Sequence, residues 1–337
     1  MNKANFNRGI KSFAPIWIRN LYKNYQLKKI YRHEMTRFVE NYGSDEKSNQ
    51  NQLNAKLIFH SHAIEKGLSH LDFRPGFGIN ALTALHDCMV EYKQLNYSKE
   101  ELAYKNALSC LSSYKQKHLS MNEILPKTFS TLFFEFEDEI DNENDSIGGY
   151  TLLQKKSKED NANKNFKDLF ESRVSVREYA NGSVDINLVK EAIQISTKTP
   201  SVCNRQSSRV RIITNSELIA STLKAQGGYT GYKLPPMLLL VTTDTGAFVD
   251  HTERNQVYID GGLFAMSLLV SLEYVGLGAC ALNAMFSLDT ERNIRTILDI
   301  PENENLIVFI TIGNLLDITP CPKSFRYSFD DISLILD

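Results

Sequence analysis

Residues 258–284 read YIDGGLFAMSLLVSLEYVGLGACALNA, and this stretch decides what the second half of the chain is. Leu263, Phe264, Met266, Leu268, Leu269, Val270 and Leu272 make a helix over 258–275 apolar nearly all round, so it needs burial on more than one side. Gly276 ends it as a helix-terminating glycine does. A short apolar piece, 279–282, follows at once. Working outward, 188–197 and 216–225 read as helices and 210–214 (VRIIT) as a short strand. Residues 236–242 (PMLLLVT) read as a buried strand by their apolar run and length. Residues 288–298 are helical, and 306–312 (LIVFITI) is the strongest strand signal in the chain. The pattern predicts an α+β domain, with α/β as the alternative.

The first half has another texture. From residue 53 to about 140 the spacing is helical, as in Ala81, Leu82, Leu85 and Met89, or Leu102, Leu108 and Leu111, and strand-like alternation is absent. Residues 138–145 (DEIDNEND) are acidic, and 155–164 (KKSKEDNANK) are charged and almost free of apolar residues. The expected organisation is therefore a mainly helical domain over 1–140, a linker over 141–165 with a short ordered piece near 148–153, and the mixed domain over 166–337. Residues 43–52 (GSDEKSNQNQ in 43–52) read as a loop.

At 337 residues the chain is long enough for two domains. Its 42% hydrophobic and 23% charged residues are those of a folded soluble protein, and a net charge of −2 gives no signal for nucleic acid. Cys88, Cys110, Cys203, Cys280 and Cys321 form no CxxC pair, which argues against a zinc ribbon or a disulfide framework and fits a reducing cytosol. No run is read as a membrane span. Arg8, Lys11, Arg19 and Lys23 interrupt any signal-peptide core. The first forty residues are basic, also carrying Lys3, Lys28, Lys29, Arg32 and Arg37, with Phe6, Phe13 and Trp17 among them. Ile18, Leu21, Tyr22 and Tyr25 share a helical face; a helix packed on the rest of the protein is favoured over peripheral contact with an anionic membrane.

Four short elements carry chemistry. Arg173, Ser175 and Arg177 put two guanidinium forks and a hydroxyl within five residues, a donor set suited to phosphate. Ser201, Asn204 and Gln206 lie in a loop between a helix and a strand, where side-chain amides can pair with a heteroaromatic ring. Gly276-Leu277-Gly278 precedes Leu282-Asn283-Ala284 and lacks the third glycine of a dinucleotide fingerprint. Lys323 and Arg326 add cations beyond the last strong strand. Taken singly, each also reads as a basic turn, a polar cap or surface charge.

Their order resembles the nitroreductase family of flavin oxidoreductases. The positions read RVSVREY (173–179), TPSVCNRQSS (199–208), EYVGLGACAL (273–282), and FITIGN (309–314) followed by PKSFR (322–326). The resemblance covers about 166–337. It implies FMN, with Arg173, Ser175 and Arg177 at the ribityl phosphate and nearby flavin groups and with Lys323 and Arg326 closing on the phosphate. It places Ser201, Asn204 and Gln206 at or near the flavin, and the backbone of Leu282, Asn283 and Ala284 near its N5. It further implies hydride from NAD(P)H, a small-molecule electron acceptor, and a homodimer with FMN at the subunit interface. Three positions depart from the family pattern: Val174, where arginine or histidine is common; Ser207-Ser208 in place of Pro-Trp; and Ala281, where tryptophan is frequent. These departures motivate the alternative of a non-enzymatic flavin-binding scaffold or docking module.

The first half contributes His60, His62, Glu65 and His70 around Glu65-Lys66-Gly67-Leu68. His62 and Glu65 share a helical face, but two converging ligands are too few for a metal. Gly67 reads as a helix C-cap. The EKGL stretch with Arg74-Pro75-Gly76-Phe77-Gly78 resembles an extension on nitroreductase-like proteins linked to bacterial surface-polysaccharide synthesis. The helical half is expected to pack over or beside the flavin site as a lid; the competing view makes it a tether. The expected location is cytoplasmic.

Overall fold

The computed structural model describes residues 15–43, 48–143 and 146–336. Lys3, Phe6, Arg8, Lys11 and Phe13 of the basic N-terminus lie outside them.

The helical half starts with α1 (Ile16–Asn41), entered through Pro15. None of its residues is buried, and Ile18, Leu21, Tyr22 and Tyr25 are exposed, so the expected packing of that face on the rest of the protein is not seen within the chain. Its Glu34 carboxylate accepts from Arg254 and, at 3.1 Å, from Asn255. α2 (Gln50–Leu68) opens on a capping box in which Asn49 and Gln52 satisfy each other's backbone N–H at 3.0 and 2.9 Å. Leu53, Leu57, Ile64 and Leu68 recur at helical spacing and are fully buried. They meet α3 (Ile79–Gln94), α4 (Leu102–Ser120), α5 (Lys127–Leu132) and α6 (Glu137–Asn142) around an aromatic core of Tyr92, Tyr104, Tyr114, Phe129, Phe133 and Phe136.

Gly67 is not the cap that the sequence suggested. The helix runs on to Leu68 and is capped by Ser69, whose N–H reaches Glu65 O at 3.1 Å. Glycine is required because the Phe77 ring lies on the helix there: a Cβ would stand 1.8 Å from the ring. Gly67→Ala is expected to cost about 1–3 kcal/mol by overpacking, measured by urea unfolding. A neutral result would mean that Phe77 packs elsewhere.

Between the halves, 141–165 is more than a linker. β1 (Tyr150–Gln154) pairs antiparallel with β6 (Ile318–Pro322) near the far end of the chain. Two single turns of 3-10 helix follow, and each buries one residue, Lys158 and Asn161. Lys158 Nζ lies 2.5 Å from Glu273 Oε1, and Asn161 Nδ2 donates to Glu273 O at 2.6 Å. A charged sequence reads as exposed, but the Lys158 charge has its partner inside the protein.

The mixed half runs α7 (Phe166–Ser172), α8 (Ile186–Ser196), β2 (Ser208–Ile213), α9 (Ser216–Gln226), β3 (Met237–Asp244), α10 (Gln256–Tyr274), β4 (Gly278–Asn283), α11 (Leu288–Leu298) and β5 (Glu304–Gly313), with α12 (Phe329–Ile332) after β6. Its sheet has the order β2-β3-β5-β4, every neighbour antiparallel. β3 is buried on both faces, so it reads as a continuous apolar run. Leu239 and Val241 face α8 and α10 in one core; Leu238 and Leu240 face α9 and α11 in another. Among the described residues α10 is long and apolar enough to cross a membrane by length and composition, which corrects the reading that no run is. It lies on the sheet, with Asp260 and Glu273 buried. Gly276 has φ +79, the left-handed turn that stops α10 and feeds β4.

Candidate functional site

The segment 173–178 leaves α7 extended and runs beside the edge strand β4, with Val176 N–H donating to Ala279 O at 3.0 Å. Its alternation sends Val174 and Val176 into a small apolar cluster with Leu315 and Cys321. Arg173, Ser175 and Arg177 are left on the other side, around Cys280. Burial pushes the Cys280 thiol up, opposed by Arg177 and Arg173, by a hydrogen bond with Ser175 and by Lys66 of α2. Burial, and after it the nearby Arg326, lowers the Arg173 guanidinium from the ordinary value. Four cations thus converge: Lys66, Arg173, Arg177 and Arg326. Among the described residues, none is within ion-pair distance of a carboxylate.

Arg177 is 7% exposed, and its Nε and Nη1 are buried without a hydrogen-bond partner. An unsatisfied buried charge is costly, so the arrangement suits an anion with several acceptor oxygens. Among the described residues Arg326 bonds its own loop alone, to Ser324 O and to Phe325 O at 3.0 Å. Ser324 in that loop has φ +51, rare outside glycine. Lys323 N–H donates to Gly149 O at 3.1 Å, so the segment between the halves also fixes this loop.

The second set lies elsewhere. Ser201 and Gln206 line a pocket of about 140 Å³ with Thr199, Ser208, Asp260 and Phe264. Val202 N–H donates to the buried Asp260 carboxylate, and Gln206 N–H to Ser201 Oγ at 3.0 Å. Cys203, Asn204 and Gln206 all have φ near +50, a run of strained residues held by its surroundings. This loop leads into β2, whereas 173–178 flanks β4. The two edges are three strand spacings apart, about 14 Å. Along the strands, the loop and Leu282-Asn283-Ala284 lie at one end and Val176 at the other, beside Gly278. One chain therefore brings together Arg173, Ser175, Arg177 and Arg326, and does not bring Ser201, Asn204 and Gln206 to them.

The histidines do not converge. His62 Nδ1 is 3.0 Å from Glu65 Oε2, and Ser324 N–H donates to Glu65 Oε1 at 3.1 Å. His70 stacks on Tyr232 at 3.8 Å and faces Glu178 across 3.8 Å, while Leu71 N–H donates to Glu178. His60 lies edge-on to Phe59. Among the described residues no three of His, Cys, Asp and Glu are grouped to hold a metal. A concavity of about 930 Å³ lies elsewhere on the helical half, around Lys56, His60, Asp87 and Glu91. Sequence reasoning did not assign Lys66, Tyr229 or Tyr232 to the site; the EKGL stretch was the one signal pointing there.

Neither protein-family models nor curated proteins match the chain. Solved structures of nitroreductase-family proteins match about half of it. A nitroreductase-like protein from Streptococcus mutans is 18% identical and is covered over 98% of its length by 51% of this chain, with a TM-score of 0.44. A nitroreductase family protein from Clostridium difficile 630 is 23% identical, with 84% of it and 45% of this chain covered at a TM-score of 0.39. An FMN-dependent nitroreductase from Clostridium difficile R20291 is 20% identical, with 85% of it and 43% of this chain covered at a TM-score of 0.38.

Proposed function

We propose that the protein is an FMN-dependent oxidoreductase of the nitroreductase type. The observation that carries this reading is the unpartnered Arg177 guanidinium within the four-cation cluster, set in the RVSVREY segment where the family resemblance expects phosphate. The residues fit the group: Arg173, Arg177 and Arg326 supply charge and planar donors, Ser175 a hydroxyl, and Lys323 a further cation on the same loop. Flavin, when bound, accepts hydride from NADH or NADPH and passes electrons to a small-molecule acceptor. The chain's own task is to hold the phosphate, present the Leu282–Ala284 backbone to the ring and exclude water. The EKGL resemblance supports a link to bacterial surface-polysaccharide synthesis.

The working unit in this reading is a homodimer, in which Ser201, Asn204 and Gln206 of one chain reach the cofactor held by the other. Two features support it: the separation of the two residue sets, and the exposed apolar residues Tyr258, Ile259 and Leu263 of α10 and Trp17, Leu21 and Tyr25 of α1. Purified protein is expected to be yellow, to bleach anaerobically with a reduced nicotinamide, and to sediment as a dimer at micromolar concentration. A yellow protein bleached by neither nicotinamide would favour the scaffold alternative. An FMN-bound monomer would remove the shared site.

A further inference from the structure

Building on that reading, we infer that Lys66, at the end of α2 in the helical half, is a ligand of the cofactor's phosphate, so that both halves of the chain build the anion site. The geometry starts with how tightly this helix end is held. Tyr232 Oη donates to Lys66 O at 2.8 Å and lies 3.2 Å from Ser69 Oγ. The neighbouring Tyr229, 5.2 Å from Tyr232 between ring centroids, donates its hydroxyl to Arg177 O. One residue on, Glu178 accepts from Leu71 N–H at 3.4 Å. On the opposite side Glu65 accepts the backbone N–H of Ser324, two residues before Arg326. Lys66 is therefore placed between the Arg177 segment and the Arg326 loop by contacts on both sides.

Its charge is unmatched in that position. The side chain is half-buried, and burial followed by the nearby Arg177 guanidinium lowers its ammonium from the ordinary value. Of the adjacent carboxylates, Glu65 is taken by His62 and Ser324, and Glu178 gives its Oε1 to Leu71 N–H and faces His70 while its Oε2 has no partner; among the described residues neither is within ion-pair distance of Lys66. Two like charges held near each other without a counter-ion repel. An anion accepting from both removes the repulsion and supplies the partner that Arg177 Nε and Nη1 lack. The helical half then acts as a wall of the site, and the anion joins the halves.

The test is flavin-fluorescence titration of the full chain with FMN and with riboflavin, which lacks the phosphate. Lys66→Met is expected to raise the FMN Kd about tenfold or more, the worth of a charge-assisted hydrogen bond, and to leave riboflavin binding unchanged. Lys66→Arg retains FMN affinity within about threefold on the same ground, and Lys190→Met, at an exposed position of α8, changes nothing. A folded Lys66→Met protein with wild-type FMN affinity overturns the role of Lys66 and leaves the flavin reading standing; equal losses for FMN and riboflavin also overturn it. If the wild type binds neither flavin, the flavin reading falls, and thermal stabilisation by inorganic pyrophosphate decides. A shift in the wild type that is lost in Lys66→Met keeps Lys66 in the anion site; equal shifts, or none, overturn it. Lys66→Gln is the second neutral variant should Lys66→Met fail to fold.

Discussion

Replacing Lys158 by methionine is expected to destabilise the protein by about 3–5 kcal/mol, the cost of leaving one member of a buried ion pair alone. The Lys158 and Glu273 side chains are 4% and 8% exposed, with 2.5 Å between Nζ and Oε1. Lys158 also donates to Ser172 O. Without it, Glu273 retains Asn161 at 3.0 Å and Ser172 Oγ at 3.4 Å, two neutral donors for a full charge. Because Ser172 adjoins Arg173, the loss also loosens the start of the arginine segment. The double variant Lys158→Met/Glu273→Leu is expected to recover most of the stability, since a well-packed apolar pair is often no worse than a buried ion pair. Urea unfolding of the two variants checks both statements. A loss below about 1 kcal/mol for the single variant, the value of an exposed pair, would show that this segment is solvated.

Arg177→Met is expected to move two quantities in opposite directions. FMN affinity falls about 10- to 100-fold, through loss of hydrogen bonds worth roughly 1.5–3 kcal/mol to a charged group. The flavin-free protein becomes more stable by about 1–3 kcal/mol, the penalty of an unsatisfied buried donor, because none of the described residues satisfies Nε or Nη1. Methionine fills much of the same space. Calorimetry of the flavin-free forms and fluorescence titration separate the two effects. A destabilised flavin-free variant would mean that Arg177 is a structural residue, and would take away the observation on which the proposed function rests.

Much of the mixed half was legible because its strands and helices differ in period and length. The run 306–312 lies within Glu304–Gly313, 236–242 overlaps Met237–Asp244, and 258–275 is Gln256–Tyr274 to within two residues at its start. The arginine segment was legible as a donor set, since its spacing of two sends Arg173, Ser175 and Arg177 to one side of an extended chain. The 141–165 segment misled because burial of Lys158 depends on Glu273, a partner 115 residues away that no local pattern reveals. Gly67 misled for a related reason: the Phe77 ring that demands it comes from the following loop. Lys66 lies within EKGL, but only the docking of α2 against Tyr232 and Ser324 places it between the Arg177 segment and the Arg326 loop.

The pairing of β1 with β6, and of Glu65 with Ser324 across 259 positions, bears on how the protein is made. At about 5–20 residues per second on the ribosome, roughly 10–50 s separate synthesis of the two ends of that contact. Through this interval the finished helical half waits with Glu65 and Lys66 uncovered. Nascent chains arrested before residue 318 should therefore resist protease over α2–α6 while failing to retain any phosphate ligand. Synthesis of β6 and the Ser324 loop would then set the moment at which the anion site of the proposed reading is complete.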